Sequence, residues 1–321
     1  MDHSIKVIPE ESYIDTMAQL RARLEDVQEI EHITTQDSCL LFCRRFVNEK
    51  YIKNMVIVHG FTEFSEKYME MIGYFYGAGY NVFIYDQRGH GWSHREVADL
   101  KLVHVSSFER YVDDLEAVIT NQVQVYGKGE TVLFGHSMGG AVVLRYCMRH
   151  PDSVSRAILS SPMIAPQTHN IPRGLVLSKT AQLIRQNGET APFPFAGSFD
   201  PQFTFEQAQD QCRPRFEANM ALRRAVIEYQ SSTATNRWMY EAIKVQDDLL
   251  NAKSAKTVQT RFLMLSAQRD RVVKNRLQQQ MAELLSHCRR VMVADAPHNM
   301  FTADDAILQA YYDAISSFLQ G

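Results

Sequence analysis

The chain has 321 residues, 45% hydrophobic and 22% charged, an ordinary globular composition that suits one large α/β domain or two smaller ones with a full core. A net charge of -3 lacks the basic excess of a nucleic-acid binder. The five cysteines (Cys39, Cys43, Cys147, Cys212, Cys288) are odd in number and form no CxxC pair, which speaks against a disulfide framework or zinc site and for thiols in a reducing compartment.

The opening "MDHSIKVIPEESYIDTMAQL" is acidic and broken by Pro9, and it lacks the basic and apolar regions of a signal peptide. "SCLLFCRRF" (38–46) alternates like a strand with one exposed face. "NMVIVHG" (54–60), "YNVFIYD" (80–86), "ETVLFGH" (130–136) and "SRAILSS" (155–161) are short continuous apolar runs, as expected of parallel strands covered on both faces. Helical patterns separate them at 65–77, 107–125 and 139–149. From about 165 to 255 the strand signals stop. Helices are expected near 173–186, 204–229 and 232–252, with the Pro- and Phe-rich "APFPFAGSFDPQFTF" (191–205) between the first two. "TRFLMLSA" (260–267) and "RRVMVAD" (289–295) resume the strands around a helix at 275–286. A last helix, 303–320, places Ile307, Tyr311, Ile315 and Phe318 on one face. Alternating β and α predicts a mostly parallel, doubly wound sheet. The discontinuous core is 1–164 plus 256–321, and 165–255 is expected to be a helical cap inserted over the carboxyl end of the sheet. No apolar run approaches the ~18 residues of a spanning helix. We therefore expect a soluble, cytoplasmic protein that at most touches the inner membrane peripherally.

The densest chemical signal is "LFGHSMGGA" (133–141), Gly-x-Ser-x-Gly between a predicted strand and a predicted helix. Such a turn is strained and needs small flanking residues, here Gly135 and Gly139, with Gly140 easing the approach of the helix. It lifts a serine hydroxyl above the sheet beside the free N–H groups of a helix start. Ser137 is the candidate nucleophile, and a serine needs a base. Of eleven histidines, His298 in "ADAPHNMF" follows the last strand and is the candidate. His59, His90 and His136 read as loop-shaping, and His287 as a solvated helix residue. The acid that would orient His298 is Asp270, just past the strand 260–267. Its rival is Asp295, which shares a strand end with His298 and is worse placed to reach the ring; Asp247 and Asp248 read as helix surface. For a developing oxyanion, the N–H of Met138 follows the serine, and "VIVHGFTEF" (56–64) offers the N–H of Phe61 after the Gly60 turn. In "YDQRGHGWS" (85–93), Asp86 and Arg88 read as structural ties. No phosphate loop and no metal spacing such as HExxH occurs, so neither metal nor other cofactor is expected.

"HGFTE", "DQRGHGWS", "GHSMGG", "RDRVV" and "PHNM" come in the order expected of an α/β-hydrolase. The chain resembles the serine-hydrolase branch that contains monoacylglycerol lipases and bacterial lysophospholipases. "EFSEKYMEM", "HVSSFERYVDDLEAVI", "TNRWMYEA" and "RVVKNR" extend the likeness to the latter. It covers nearly the whole chain and is weakest over 1–30 and 165–230. Carried over position by position, it implies Ser137 as nucleophile, Asp270 as acid, His298 as base, and Phe61 and Met138 as oxyanion donors. It also implies a cap over an acyl pocket and a lipid substrate, a lysophospholipid or monoacylglycerol. On that reading Phe193, Phe195, Phe199, Phe203 and Phe205, with the helical stripe Val176, Thr180, Leu183 and Ile184, are expected either to glue the cap to the core or to line an acyl tunnel. Among Arg213, Arg215, Arg223 and Arg224, one or two are candidates for a phosphate head group, Arg213 and Arg215 first. Residues 165–255 hold 10 Lys/Arg and 9 Asp/Glu, so these arginines also read as solvated helix faces. The competing activities are a short-chain esterase or an aminopeptidase, the latter needing an acidic group in the cap to hold an amine. A non-catalytic binding module would be expected to have lost a triad member.

Overall fold

A computed structural model describes residues 5–168, 171–194, 197–208 and 212–321. Its centre is an eight-stranded sheet. The strands in chain order are β1 (Gln28–Thr34), β2 (Leu40–Phe46), β3 (Lys53–Val58), β4 (Asn81–Tyr85), β6 (Glu130–His136), β7 (Arg156–Ser160), β9 (Arg261–Ala267) and β10 (Cys288–Val293). The short β5 (Leu102–Val103) and β8 (Thr233–Ala234) pair with each other outside it. The spatial order is β1-β2-β4-β3-β6-β7-β9-β10. All neighbours from β4 to β10 run parallel; β1 and β2 are antiparallel at one edge. This is the mostly parallel, doubly wound sheet that the alternating elements predict, and it agrees with the α/β-hydrolase fold that the motif resemblance implies.

Both faces of the sheet are covered, which is why the parallel strands read as unbroken apolar runs. Along β3, Val56 and Val58 join one core, and Met55 and Ile57 the other. On the first face lie α3 (Glu109–Val118), running through a π turn into α4 (Gln124–Tyr126), and α5 (Met138–Arg149), with α10 (Ala252–Thr257) and α11 (Asn275–Leu284). On the second lie α1 (Tyr13–Glu25), α2 (Met69–Gly77) and α12 (Asp305–Gln320). The expected α12 face holds: Tyr311, Ile315 and Phe318 are buried and Ile307 is partly covered.

Neither β1 nor α1 is signalled by the sequence. Only Ile33 of β1 is buried, so this edge strand is mostly polar. The α1 helix buries Tyr13, Met17 and Leu24 against the second core. Between β7 and β9 the chain forms α6 (Arg173–Asn187), α7 (Phe205–Ala208), α8 (Arg213–Ala225) and α9 (Asn236–Leu249). The expectation of no strand here needs correction. β8 pairs in parallel with β5, and the Phe193 N–H donates to the Ala234 carbonyl at 2.8 Å. Two residues are too few to show a period.

The ends of the chain meet the insertion at Arg215. Its side chain, 1% exposed, donates to Glu70 at 2.8 Å, to the Ile8 carbonyl at 2.6 Å and to Asp305 at 3.3 Å. Glu10 N–H also reaches Asp305 at 3.0 Å, and the Gln309 amide donates to the Ile5 carbonyl at 3.2 Å.

Candidate active site

Four of the predicted site groups leave the carboxyl ends of strands, where open parallel sheets bind ligands. Phe61 follows β3, Ser137 follows β6, Asp270 follows β9 and His298 follows β10. Ser137 has φ 52 and ψ -117, a strained conformation for a residue with a side chain. The glycines around it are demanded by contact. A Cβ on Gly139 would lie 2.0 Å from the Val58 carbonyl oxygen, one on Gly135 2.6 Å from the Gly139 oxygen, and one on Gly140 2.8 Å from Pro162 Cβ. The turn is held by Ser137 N–H to the Ser160 carbonyl and by Met163 N–H to the Ser137 carbonyl, both 2.9 Å.

Ser137 Oγ lies 2.9 Å from His298 Nε2, and His298 Nδ1 lies 2.8 Å from Asp270 Oδ2. The Asp270 side chain is fully enclosed. Burial would push its pKa up, but the His298 ring and the N–H groups of Val272 and Val273, which donate to Oδ1 at 2.8 and 3.0 Å, outweigh it and hold the carboxyl below its ordinary value. The carboxylate therefore fixes the tautomer in which Nδ1 carries the proton and Nε2 can take one from the serine. Asp295 is not brought to the ring. It is exposed and paired with Arg269 at 2.7 Å. Asp247 and Asp248 are exposed on α9, and His287 is exposed in the turn after α11.

The N–H groups of Phe61 and Met138 have no acceptor among the described residues. Gly60 abuts the serine, since a Cβ there would meet Ser137 Cβ at 3.2 Å. The loop between them is built on Glu63, a residue not singled out by sequence. Its Oε2 accepts from Gly60 N–H at 2.6 Å and Tyr68 Oη–H at 2.5 Å, and its Oε1 from the Lys67 ammonium. Burial opposes the charge on Glu63, but Lys67, His136 and the hydrogen bonds hold its pKa well below the carboxylate range. The Phe61 ring packs on Trp238 of α9, centroids 3.9 Å apart and planes tilted by 35°.

The upstream histidines shape loops. His59 accepts from Gln87 N–H at Nε2, 2.9 Å, and donates from Nδ1 to the Gly60 carbonyl at 2.8 Å. His90 contacts the Arg88 carbonyl at 3.0 Å. His136 packs its ring on His298 and reaches Asn299 Oδ1 at 3.1 Å; burial pushes its pKa down to about 4. Asp86 accepts from Ser65 N–H at 2.6 Å and Trp92 N–H at 2.9 Å, and Arg88 grips Asp114 and Asp37, so both are the structural ties expected of them.

Ser137 and His298 line a cavity of about 320 Å³. Its apolar lining is Phe61 and Phe64 on the core side with Phe203, Phe216, Met220 and Val272. The substrate-binding expectations fare unevenly. Phe193 packs against the first core and does not line this cavity, and Phe195 lies outside the described residues. Thr180 and Leu183 of the α6 stripe are buried where α6 packs on α9, also away from the cavity. Arg213 stacks over Phe205 and pairs with Glu206 at 2.5 Å. Arg215 is committed to Glu70, Ile8 and Asp305, so neither first-choice arginine reaches the cavity. Arg223, the third of that cluster, does. Among the described residues no group of three or more His, Cys, Asp or Glu could hold a metal ion.

Lysophospholipase L2 of Escherichia coli strain K12 is 26% identical over 299 residues, covering 85% of this chain and 82% of that protein. Human monoglyceride lipase is 29% identical over 167 residues, 51% of this chain and 54% of that protein. A thermostable carboxyl esterase from Bacillus coagulans, solved with glycerol, superposes with a TM-score of 0.73 at 18% identity, covering 92% of this chain and 98% of the other. Residues 49–305 match the Hydrolase_4 family, described as serine aminopeptidase, S33, and with four-fifths of its length inside that match the chain belongs to this family of α/β-hydrolases.

Proposed function

We propose that this carboxylic ester hydrolase is a serine esterase of monoacyl lipids, with lysophospholipids as its first substrates and monoacylglycerols as the alternative. The observation that carries the reading is the hydrogen-bonded series Ser137–His298–Asp270 at the floor of a cavity with an apolar wall. The relatives named above act on such lipids by their names.

In the proposed reaction Ser137 Oγ attacks the acyl carbonyl carbon as its proton passes to His298 Nε2. The N–H groups of Phe61 and Met138 hold the oxyanion. The tetrahedral adduct collapses, the C–O bond to glycerol breaks, and His298 gives its proton to the departing alkoxide. Water then attacks the acyl-enzyme, losing its proton to His298, and the second adduct releases the fatty acid as the serine regains the proton. Asp270 keeps the imidazolium oriented and does not take the proton. The acyl chain lies along Phe203, Phe216, Met220 and Val272, beneath the helical insertion 165–255 acting as a cap.

An aminopeptidase would need a free carboxylate to hold the substrate amine. The only carboxylate among the described cavity-lining residues is Glu63, already engaged by Lys67, Gly60 and Tyr68. That favours the esterase. No helix among the described residues is long and apolar enough to cross a membrane. The proposed contact with the bilayer that holds the substrate is peripheral, at the inner membrane.

The test is a series of p-nitrophenyl esters below their micelle concentrations, with fluorophosphonate labelling of Ser137. Each buried CH₂ is worth about 0.8 kcal/mol, so two further methylenes in the cavity should raise kcat/KM about tenfold. An optimum at acetyl or butyryl would reject the lipid reading, and an unlabelled Ser137 would reject the enzyme.

A further inference from the structure

One face of α8 lines the cavity with Phe216, Asn219, Met220 and Arg223, the spacing of residues that share a helix face. Two of these are apolar and two polar, so the helix presents a greasy patch and a hydrophilic one to the same space. The polar end is unusual. Arg223 Nε donates to the Tyr229 carbonyl at 3.1 Å and Nη2 to the Ser231 carbonyl at 3.0 Å, and the guanidinium lies over the Phe199 ring at 4.4 Å. These contacts fix the plane of the group. Its Nη1 has no partner, and the side chain forms no ion pair, among the described residues.

Other enclosed arginines differ. Arg88 and Arg215 hold carboxylates, and Arg95 is saturated by the carbonyls of Gly89, Leu100 and Glu228. Within the cavity lining the one carboxylate, Glu63, is in direct contact with Lys67 and acts on Arg223 only through space, so among the described residues no carboxylate touches the Arg223 guanidinium. Burial pulls its pKa down to about 10 against the opposing pull of Glu63, so it stays protonated at neutral pH with no carboxylate in contact.

We propose that Arg223 is the specificity-determining residue of this site: its open guanidinium edge receives the phosphodiester on the leaving alcohol of a monoacyl phospholipid, with Asn219 beside it, while Phe216 and Met220 meet apolar parts of the substrate. This rests on the esterase reading and sharpens it from monoacyl lipids in general to anionic or zwitterionic ones. A planar fork matches phosphate oxygens, whereas the neutral glycerol of a monoacylglycerol offers no charge to it.

The experiment compares wild type with Arg223→Gln on decanoyl lysophosphatidylethanolamine and decanoylglycerol, both below their micelle concentrations. The ratio of kcat/KM for the phospholipid over the neutral lipid should fall at least about tenfold, the scale of a charged hydrogen bond. Equal losses on both lipids would overturn the proposal and leave Arg223 a prop for the 229–231 backbone. A second arm needs no lysophospholipid turnover. Glycerophosphoethanolamine should inhibit hydrolysis of p-nitrophenyl butyrate by the wild type competitively, more strongly than glycerol or inorganic phosphate at equal concentration. Inhibition no stronger than that of phosphate would overturn the proposal. If wild type cleaves only the neutral lipid, the lysophospholipid reading falls, and whether Arg223→Gln loses the inhibition by glycerophosphoethanolamine still decides whether Arg223 takes a phosphodiester.

Discussion

Glu63 joins the oxyanion loop to its surroundings through two separable sets of bonds, and two substitutions pull them apart. Glu63→Gln can leave an amide oxygen where Oε2 stands, still accepting from Gly60 N–H and Tyr68 Oη–H, but it takes the counter-charge from Lys67. Glu63→Met keeps the approximate length and removes every acceptor. The Glu63 and Lys67 side chains are 7% and 10% exposed, so this is a buried pair, and losing one partner of such a pair costs about 3–5 kcal/mol. Lys67 can swing toward solvent, which puts Gln at the lower end. Met adds an orphaned Gly60 N–H, a further ~1–3 kcal/mol. At roughly 2–4 °C per kcal/mol, Tm should fall by roughly 6–12 °C for Gln and further for Met. Turnover should separate them more sharply. Only Met frees the peptide next to the Phe61 donor, and a lost oxyanion donor costs about 10²–10³ in kcat. Kinetics with p-nitrophenyl butyrate and thermal melts, on both variants at pH 7, read the two effects independently. Equal kcat for Gln and Met would refute the role of the Gly60 hydrogen bond, and an unchanged Tm for both would refute the buried pair.

Asp270→Asn should lower kcat by about 10³–10⁴ by presenting the wrong tautomer, whereas Asp295→Asn, which breaks only an exposed pair with Arg269, should stay within about twofold in the same ester assay. Gly139→Ala should melt at least about 10 °C lower or fail to fold, because the Val58 carbonyl it strikes is backbone; Gly77→Ala, with nothing within 4 Å, should be neutral by the same melt. His136 is held neutral in the fold at a pKa of about 4, against about 6.5 in the unfolded chain, so the unfolded state binds the extra proton between those values. Stability should therefore fall as pH drops below 6.5, by about 2–3 kcal/mol at pH 4.5 from this group; urea unfolding at pH 7 and 4.5 should show a shallower loss in His136→Phe. Dialysis against EDTA should leave ester hydrolysis intact.

What was legible in the sequence is what short-range physics writes there. The glycines at 135 and 139 announce the serine turn because no Cβ fits between strand and helix. The apolar strand runs announce a doubly covered sheet. Asp270 and His298 were found because each follows a strand that ends at the same edge. Other features depend on distant partners. Arg213 and Arg215 look interchangeable with Arg223 in sequence, yet they leave α8 on different sides. Arg215 meets residues from both ends of the chain, and Arg223 turns to the cavity with Phe216 and Met220. The helical spacing 216, 219, 220, 223 was readable; which face would meet the serine was not. Glu63 gave no periodic signal either, since its three donors come from one short loop whose shape exists only in the fold.

The junction at Arg215 has a consequence for biosynthesis. Its partners come from residue 8, residue 70 and residue 305, and the turn Glu10–Ser12 that leads into α1 is tied to α12 by Glu10 N–H donating to Asp305. During vectorial synthesis this turn leaves the ribosome well before the acceptor that fastens it, which lies 295 residues further along the chain. Until then Met17 and Leu24, buried in the finished protein, have only part of their cover. A nascent chain can therefore assemble β3, β4 and β6 around the serine turn while α1 still lacks this tie, its apolar stripe only partly covered and open to chaperones until residue 305 has emerged.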